Sequence, residues 1–190
     1  MTALDDAPLV EPPNRAAWRA WLEANHAAGT GAWLVMRRRA GRGELDYEAA
    51  IEEALCFGWV DGTAGRADEW RRKQYFAPRK RRSGWAATNK ARVERLIADG
   101  RMRPAGLAVV ERAKADGSWT LFDGVERLEV PDDLAAALAA RPPAAASFAA
   151  YPPSVRKQAL ASLVLARTPE TRGRRIAAIA AAAARGERPA

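Results

Sequence analysis

The run Pro78-Arg79-Lys80-Arg81-Arg82-Ser83-Gly84-Trp85 sets four consecutive cations between a rigid proline and a serine suited to capping a helix. A helix start presents unbonded backbone N–H groups and a partial positive charge, so it already favours anions. Further cations beside it cost repulsion that a purely structural loop has no reason to accept. The chemistry this suggests is capture of an anion. A solvated basic loop is the competing reading.

Residues on either side could join such a site. Asn89 lies four residues after Trp85 and four before Val93, which puts an amide on the apolar face of the helix expected after Ser83. A buried amide needs partners. It either pins a neighbouring loop or contacts a ligand. Trp59 and Asp61, in Gly58-Trp59-Val60-Asp61-Gly62, precede the basic run on an adjoining strand. Asp61 would neutralise one cation in the empty state. Arg79 and Lys80, next to the proline, are expected to face a shared pocket with Ser83, Asn89 and Asp61, and Arg81 and Arg82 to face solvent. Trp85 is expected in the core, with stacking on a flat ligand as the alternative.

Other chemistry finds less support. His26 is the only histidine and Cys56 the only cysteine, and neither CxxC nor HExxH occurs. No metal site and no cofactor is expected. His26 reads as a helix-end residue bonded to a carbonyl. Cys56, between Leu55 and Phe57, reads as a small buried hydrophobe. No GxxxxGK[ST] occurs, and no GxGxxG stands between a strand and a helix. No catalytic residue is assigned.

The elements that must position these residues follow from patterning. Residues 1–13 are acidic, proline-rich and expected to be a flexible lead. Asn14 caps a helix with Trp18, Trp21 and Leu22 on one face. "AWLVMRRR" reads as a strand. Asp46 caps a second helix with Tyr47, Ile51, Ala54 and Leu55 as its buried stripe, ended by Gly58. "WVDGTAGRADEWRRKQYFAP" reads as two strands about a turn. Ser83 is expected to cap the next helix, and "AGLAVVERAKAD" to form another, followed by a short strand "SWTLFD". From Pro131 on the chain is Ala-rich and helical, with prolines at the helix starts. The fold class is α+β: a small antiparallel sheet packed by helices over residues 14–122, then an all-helical unit over 131–186.

Across 190 residues the formal net charge is +8. Residues 71–103 hold twelve Lys and Arg against Glu94 and Asp99, a local surplus of ten. The balance favours anionic partners. The N-terminus lacks the pattern of a secretory signal. The longest apolar run is about half of the roughly 20 residues a membrane span needs. A cytoplasmic protein without membrane insertion is expected.

Five motifs occur in order: "ALCFGWVDG", "FAPRKRRSGWAATNK", "GRMRPAG", "AKADGSW" and "TPETRGRRI". Together they resemble the bacterial YdeI/OmpD-associated family, also labelled bacteriocin-protection proteins, from about Trp18 to the last helix. The family's Gly-Trp-Ile-Asp falls on Gly58, Trp59, Val60 and Asp61. Its Pro-Arg-Lys and Ser-x-Trp-Ser fall on Pro78, Arg79, Lys80, Ser83 and Trp85, with Ala86 in place of the second serine. Its Glu-Thr-Arg falls on Glu170, Thr171 and Arg172. The resemblance implies a bacterial protein linked to tolerance of antimicrobial peptides and envelope stress, and no defined reaction. The leading expectation is therefore a protection protein that binds a phosphorylated small molecule or an acidic protein surface through Trp59, Asp61, Arg79, Lys80, Ser83, Trp85 and Asn89. The alternatives are a nucleic-acid module using the 71–103 face and an enzyme with Asp61 as base and Arg79 as clamp.

Overall fold

The computed structural model describes residues 6–189. It is of the α+β class, with a four-stranded sheet and helices that dominate the C-terminal part. The chain divides into two units, up to Trp119 and from Thr120 on.

In the N-terminal unit the elements are β1 (Leu9–Val10), α1 (Arg15–Asn25), β2 (Ala32–Arg37), α2 (Tyr47–Cys56), β3 (Trp59–Arg66), β4 (Arg71–Pro78), α3 (Ala87–Ala98) and α4 (Pro104–Ala115). The sheet order is β1-β2-β4-β3. β2 pairs antiparallel with β4, and β4 with β3. β1 pairs parallel with β2, so the sheet is mixed rather than wholly antiparallel. The strand comes from the lead expected to be flexible: Leu9 and Val10 are registered against Trp33 and Leu34. The first five residues of that lead lie outside the described part.

Alternation along the strands selects the covered face. Ala32, Leu34 and Met36 on β2, with Gln74 and Phe76 opposite them on β4, are buried. Against this face pack Trp18 and Leu22 of α1 and most of α2. Asn14 and Asp46 cap these helices, accepting from the Ala17 and Ala49 N–H groups. Trp18 donates through Nε1 to the Ala50 carbonyl, 3.1 Å, which fixes α1 across α2.

α2 has no solvent face beyond its first turn. Every residue from Ala50 to Cys56 is buried, including two carboxylates, Glu52 at 7% and Glu53 at 2% exposure. Four arginines from three other segments meet them. Arg15 of α1 reaches both, and Arg19 of α1 meets Glu53 at 2.6 Å. Arg95 of α3 meets Glu52. Arg101, after α3, contacts Glu52 at 3.1 Å and Glu53 at 2.6 Å. Buried carboxylates are tolerable only when paired and hydrogen-bonded. The expected apolar stripe of α2 is present, but the helix is buried on its other sides as well.

The "GRMRPAG" motif lays α4 on the end of α2. The Arg103 N–H donates to the Cys56 carbonyl, 3.0 Å. A Cβ on Gly106 would collide with that same carbonyl, so only glycine permits the approach. Gly58, at φ +77°, turns the chain from α2 into β3.

Two expectations fail here. Ser83 does not cap α3: the helix begins at Ala87, behind Ala86, which makes no side-chain cap bond. Ser83 instead sits in a turn, its N–H and its Oγ both donating to the Lys80 carbonyl. "SWTLFD" forms turns leading into α5 (Asp123–Glu126), not a strand, because Trp119 N–H folds back to the Ala113 carbonyl and leaves no ladder to join.

The C-terminal unit continues with α6 (Asp132–Ala139), α7 (Ala144–Ala150), α8 (Pro153–Val164) and α9 (Pro169–Ala184). Leu134 and Leu138, Phe148, Leu160 and Leu163, and Ile179 form a core separate from that of the N-terminal unit. The "TPETR" motif is structural. Thr168 caps α9, Pro169 opens it, and Arg172 clasps Asp133 of α6 with two bonds, 2.7 and 2.9 Å, while also donating to the Leu163 carbonyl.

Two measurements test this frame. Glu53→Ala should cost about 3 kcal/mol in urea unfolding, the lower end of the range for a broken buried pair because its arginines can rehydrate, whereas Arg95→Ala should cost under about 1 kcal/mol. Gly106→Ala should cost about 1–3 kcal/mol through overpacking against the Cys56 carbonyl.

Candidate functional site

The basic run begins where β4 ends. Arg79 N–H donates to the Gly58 carbonyl, 3.0 Å, extending the pairing of Trp59 with Pro78. The chain then turns over Lys80 to Ser83, with Arg82 at φ +58°, a left-handed conformation uncommon outside glycine. It returns at Trp85, which is 2% exposed. The Arg79 guanidinium lies 3.8 Å over the Trp85 ring, and Trp119 packs beside that ring at 4.9 Å.

Arg79 is buried, at 8% exposure. Its Nη2 donates to the Gly84 carbonyl, 2.5 Å, while Nε and Nη1 have no partner. Burial pulls its pKa down to about 10, with the charge of Asp61 acting in the other direction. A buried guanidinium with two unmet donors is costly.

Arg79 lines a cavity of about 10 Å³ with Lys80, Arg81, Arg82, Trp85 and, from α4 and just beyond it, Val109, Arg112, Ala113, Asp116 and Ser118. Asp116 accepts from Ser118, 3.0 Å at its backbone N–H, and from the Arg82 backbone, which holds its carboxyl below the usual range. The wall therefore carries five cations against one carboxylate. Arg81 and Arg82 are exposed yet line the mouth, where solvent alone was expected for them.

The other proposed residues go elsewhere. Asp61, opposite Phe76 in the sheet, accepts from the Tyr47 hydroxyl at 2.7 Å. Arg72 lies 4.3 Å over the Tyr47 ring with its Nε buried and unpartnered. Burial and the bond to Asp61 push the Tyr47 phenol up to about 12. Asn89 is half-buried near the start of α3 and accepts from Arg92, 2.9 Å, which itself clasps Glu48 with two bonds of 2.7 Å. Arg92 feels the charges of Tyr47 and Asp61, so Asp61 and Asn89 belong to this cluster. Neither lines the Arg79 cavity. Trp59 is core, its Nε1 donating to the His26 carbonyl at 3.2 Å. Ser83 is spent on its turn. Of the seven residues expected to act together, Arg79, Lys80 and Trp85 share the cavity.

The remaining chemistry-bearing residues are in structural settings. Cys56 is buried, and burial pushes its thiol pKa up. His26 Nδ1 is 3.0 Å from the Leu22 carbonyl, with its ring on Phe57. Among the described residues no group of three His, Cys, Asp or Glu side chains could hold a metal ion, and no helix is long and apolar enough to cross a membrane.

About half of the surplus over residues 71–103 is answered by carboxylates within the protein. Arg71 pairs with Glu11 and Asp68, Arg92 with Glu48, Arg95 with Glu52, Arg101 with Glu52 and Glu53, and Arg103 with Glu23. The cations left for an external anion concentrate in residues 79–82. Arg112, Asp116 and Ser118 were missed as site residues; "AKADGSW" held two of them but gave no sign of folding back onto the basic loop.

The Tyr47–Asp61 bond has a spectroscopic test. Of the three tyrosines, one should ionise only near pH 12 in an ultraviolet titration, and Asp61→Asn should bring it down. Because the folded pKa lies above the unfolded value near 10, the stability this bond contributes is complete below pH 10 and lost as pH rises toward 12. In the same samples, Cys56 should react with a thiol reagent only after denaturant is added.

Residues 10–109 match the family model of a domain of unknown function, DUF8412. Residues 127–186 match the model described as bacteriocin-protection, YdeI or OmpD-associated. No curated protein and no solved structure matches the chain. Of the five motifs, "TPETRGRRI" falls within the second match and the first three within the first. The chain thus belongs to the DUF8412 family and carries a YdeI/OmpD-associated domain in its C-terminal helical unit.

Proposed function

We propose that the protein is a binding protein whose N-terminal unit holds an anionic ligand at the Arg79 cavity. The observation that carries this reading is the state of Arg79: buried, charged at neutral pH, bonded to the protein through one nitrogen and unmet at the other two. An anion that reached this guanidinium would offset the cost of its burial. The surrounding Lys80, Arg81, Arg82 and Arg112 would attract it, and the left-handed Arg82 keeps the loop wrapped over the cavity. The description of the domain matched by the C-terminal unit gives the setting, protection against bacteriocins.

Two features favour this over the alternatives. Five of the twelve basic residues in 71–103 are paired with carboxylates, and four of the other seven stand together at 79–82, so the charge is gathered at one loop rather than spread along an extended face. Asp61 accepts from Tyr47 and does not line the cavity, which favours binding over a reaction with Asp61 as base beside Arg79.

Inorganic phosphate at low salt tests the reading. Millimolar phosphate should raise the melting temperature of the parent protein, and the effect should shrink as salt is added. Arg79→Met, which keeps an apolar stem over Trp85, should abolish the phosphate effect while its own stability stays within about 1–2 kcal/mol of the parent, since a cation–π contact and an uncompensated charge are lost together. A parent indifferent to phosphate and sulfate, or an Arg79→Met variant that responds like the parent, would overturn it.

A further inference from the structure

Resting on the reading of the Arg79 cavity as an anion site, we propose that its ligand is an oligophosphate of three or more phosphoryl groups, recognised through the phosphates alone. Charge is the first argument. Arg79, Lys80, Arg81, Arg82 and Arg112 face one acid, Asp116, a surplus of four positive charges. A single phosphate brings about 1.5–2 negative charges at neutral pH and would leave roughly half of that surplus unmet. A chain of three phosphoryl groups brings about four.

Space is the second argument. At about 10 Å³ the cavity takes one water-sized atom, whereas pockets that enclose an organic ligand run to roughly 300–1,000 Å³. One phosphoryl oxygen can replace a water beside Arg79. The rest of the ligand must lie outside, along the exposed Lys80, Arg81 and Arg82.

The third argument concerns bases. Single-stranded nucleic acids and nucleotides gain affinity by stacking on exposed aromatic faces. The aromatic at this site, Trp85, is 2% exposed and already covered by the Arg79 guanidinium at 3.8 Å. The residues that line the cavity therefore offer cations for a phosphate chain and no open aromatic face for a base.

Calorimetry with the full chain at low salt, without divalent cations, tests this with orthophosphate, tripolyphosphate, ATP, GTP and a thymidine oligonucleotide. Tripolyphosphate should bind about tenfold or more tighter than orthophosphate, from its added contacts with exposed cations. ATP and GTP should bind alike and no tighter than tripolyphosphate. Arg81→Ala combined with Arg82→Asn should bring tripolyphosphate down to the level of orthophosphate. Asparagine is chosen because it tolerates the left-handed backbone at position 82. Equal binding of orthophosphate and tripolyphosphate would overturn the oligophosphate assignment and leave the anion site standing. So would a tenfold difference between ATP and GTP, or tighter binding of the oligonucleotide at equal phosphate concentration. If the parent binds no phosphate of any length, the anion site and its oligophosphate ligand fall together.

Discussion

Two adjacent carboxylates at the centre of a buried helix govern the N-terminal unit. Glu52 and Glu53 are out of water, and charged groups persist there only when opposite charges and hydrogen bonds replace the lost hydration. Arg15 and Arg19 meet that need from α1, Arg95 from α3 and Arg101 from the segment before α4. Each partner must come to the same few ångströms of α2, so the network fixes three segments against that helix at once. The placement of Arg101 leads Arg103 to the Cys56 carbonyl and Gly106 onto the end of α2. That in turn sets where α4 runs. Arg112, carried by α4, and Asp116, just past its end, form one wall of the Arg79 cavity. Gly58, at the end of α2, accepts the Arg79 N–H at its carbonyl and so fixes where the cavity's central arginine leaves the sheet. The site is thus downstream of an ion network that shares no residue with it.

Besides the exposed Lys80, Arg81 and Arg82, two physical settings recur among the basic residues. One class is paired to carboxylates and contributes to the frame. The other lies on aromatic faces: Arg72 on Tyr47, Lys73 on Trp33 and Arg79 on Trp85. An aromatic ring stabilises a cation without using its N–H groups. A guanidinium held this way is positioned but not fully hydrogen-bonded, which is the condition for accepting an outside anion. Arg79 is the most buried of these cations and has two unmet nitrogens, which sets it apart. In the C-terminal unit the arginine of "TPETR" belongs to the first class, clasping Asp133 and the end of α8.

Local signals in the sequence were enough for the α+β class, the Asn14 and Asp46 caps, the strand "AWLVMR", the turn at Gly58 and the run of short C-terminal helices begun by prolines. Each depends on residues within a turn or two of one another: a side chain bonding to an N–H three residues on, alternation along one strand, or the fixed φ of proline. The burial of Cys56 and Trp85 follows from the same patterning. So does the presence of a concentrated basic loop after Pro78, and the motif "TPETRGRRI" lies within the YdeI/OmpD-associated match.

What only the tertiary structure decided is which charges meet. A surplus of ten over residues 71–103 reads as one face along the chain, yet Arg71, Arg92, Arg95, Arg101 and Arg103 reach carboxylates on other elements, up to 80 residues away. Glu52 and Glu53 lie off the apolar stripe assigned to α2, and their burial depends on arginines from three other places. Ser83 had the composition of a cap, but its side chain was taken by the Lys80 carbonyl before the helix began. Asp61 and Asn89 were drawn from Arg79 into the cluster of Tyr47 and Arg92, and Arg112 and Asp116 came in to replace them. Pairing energies depend on distance and burial in space, and neither is encoded in spacing along the chain.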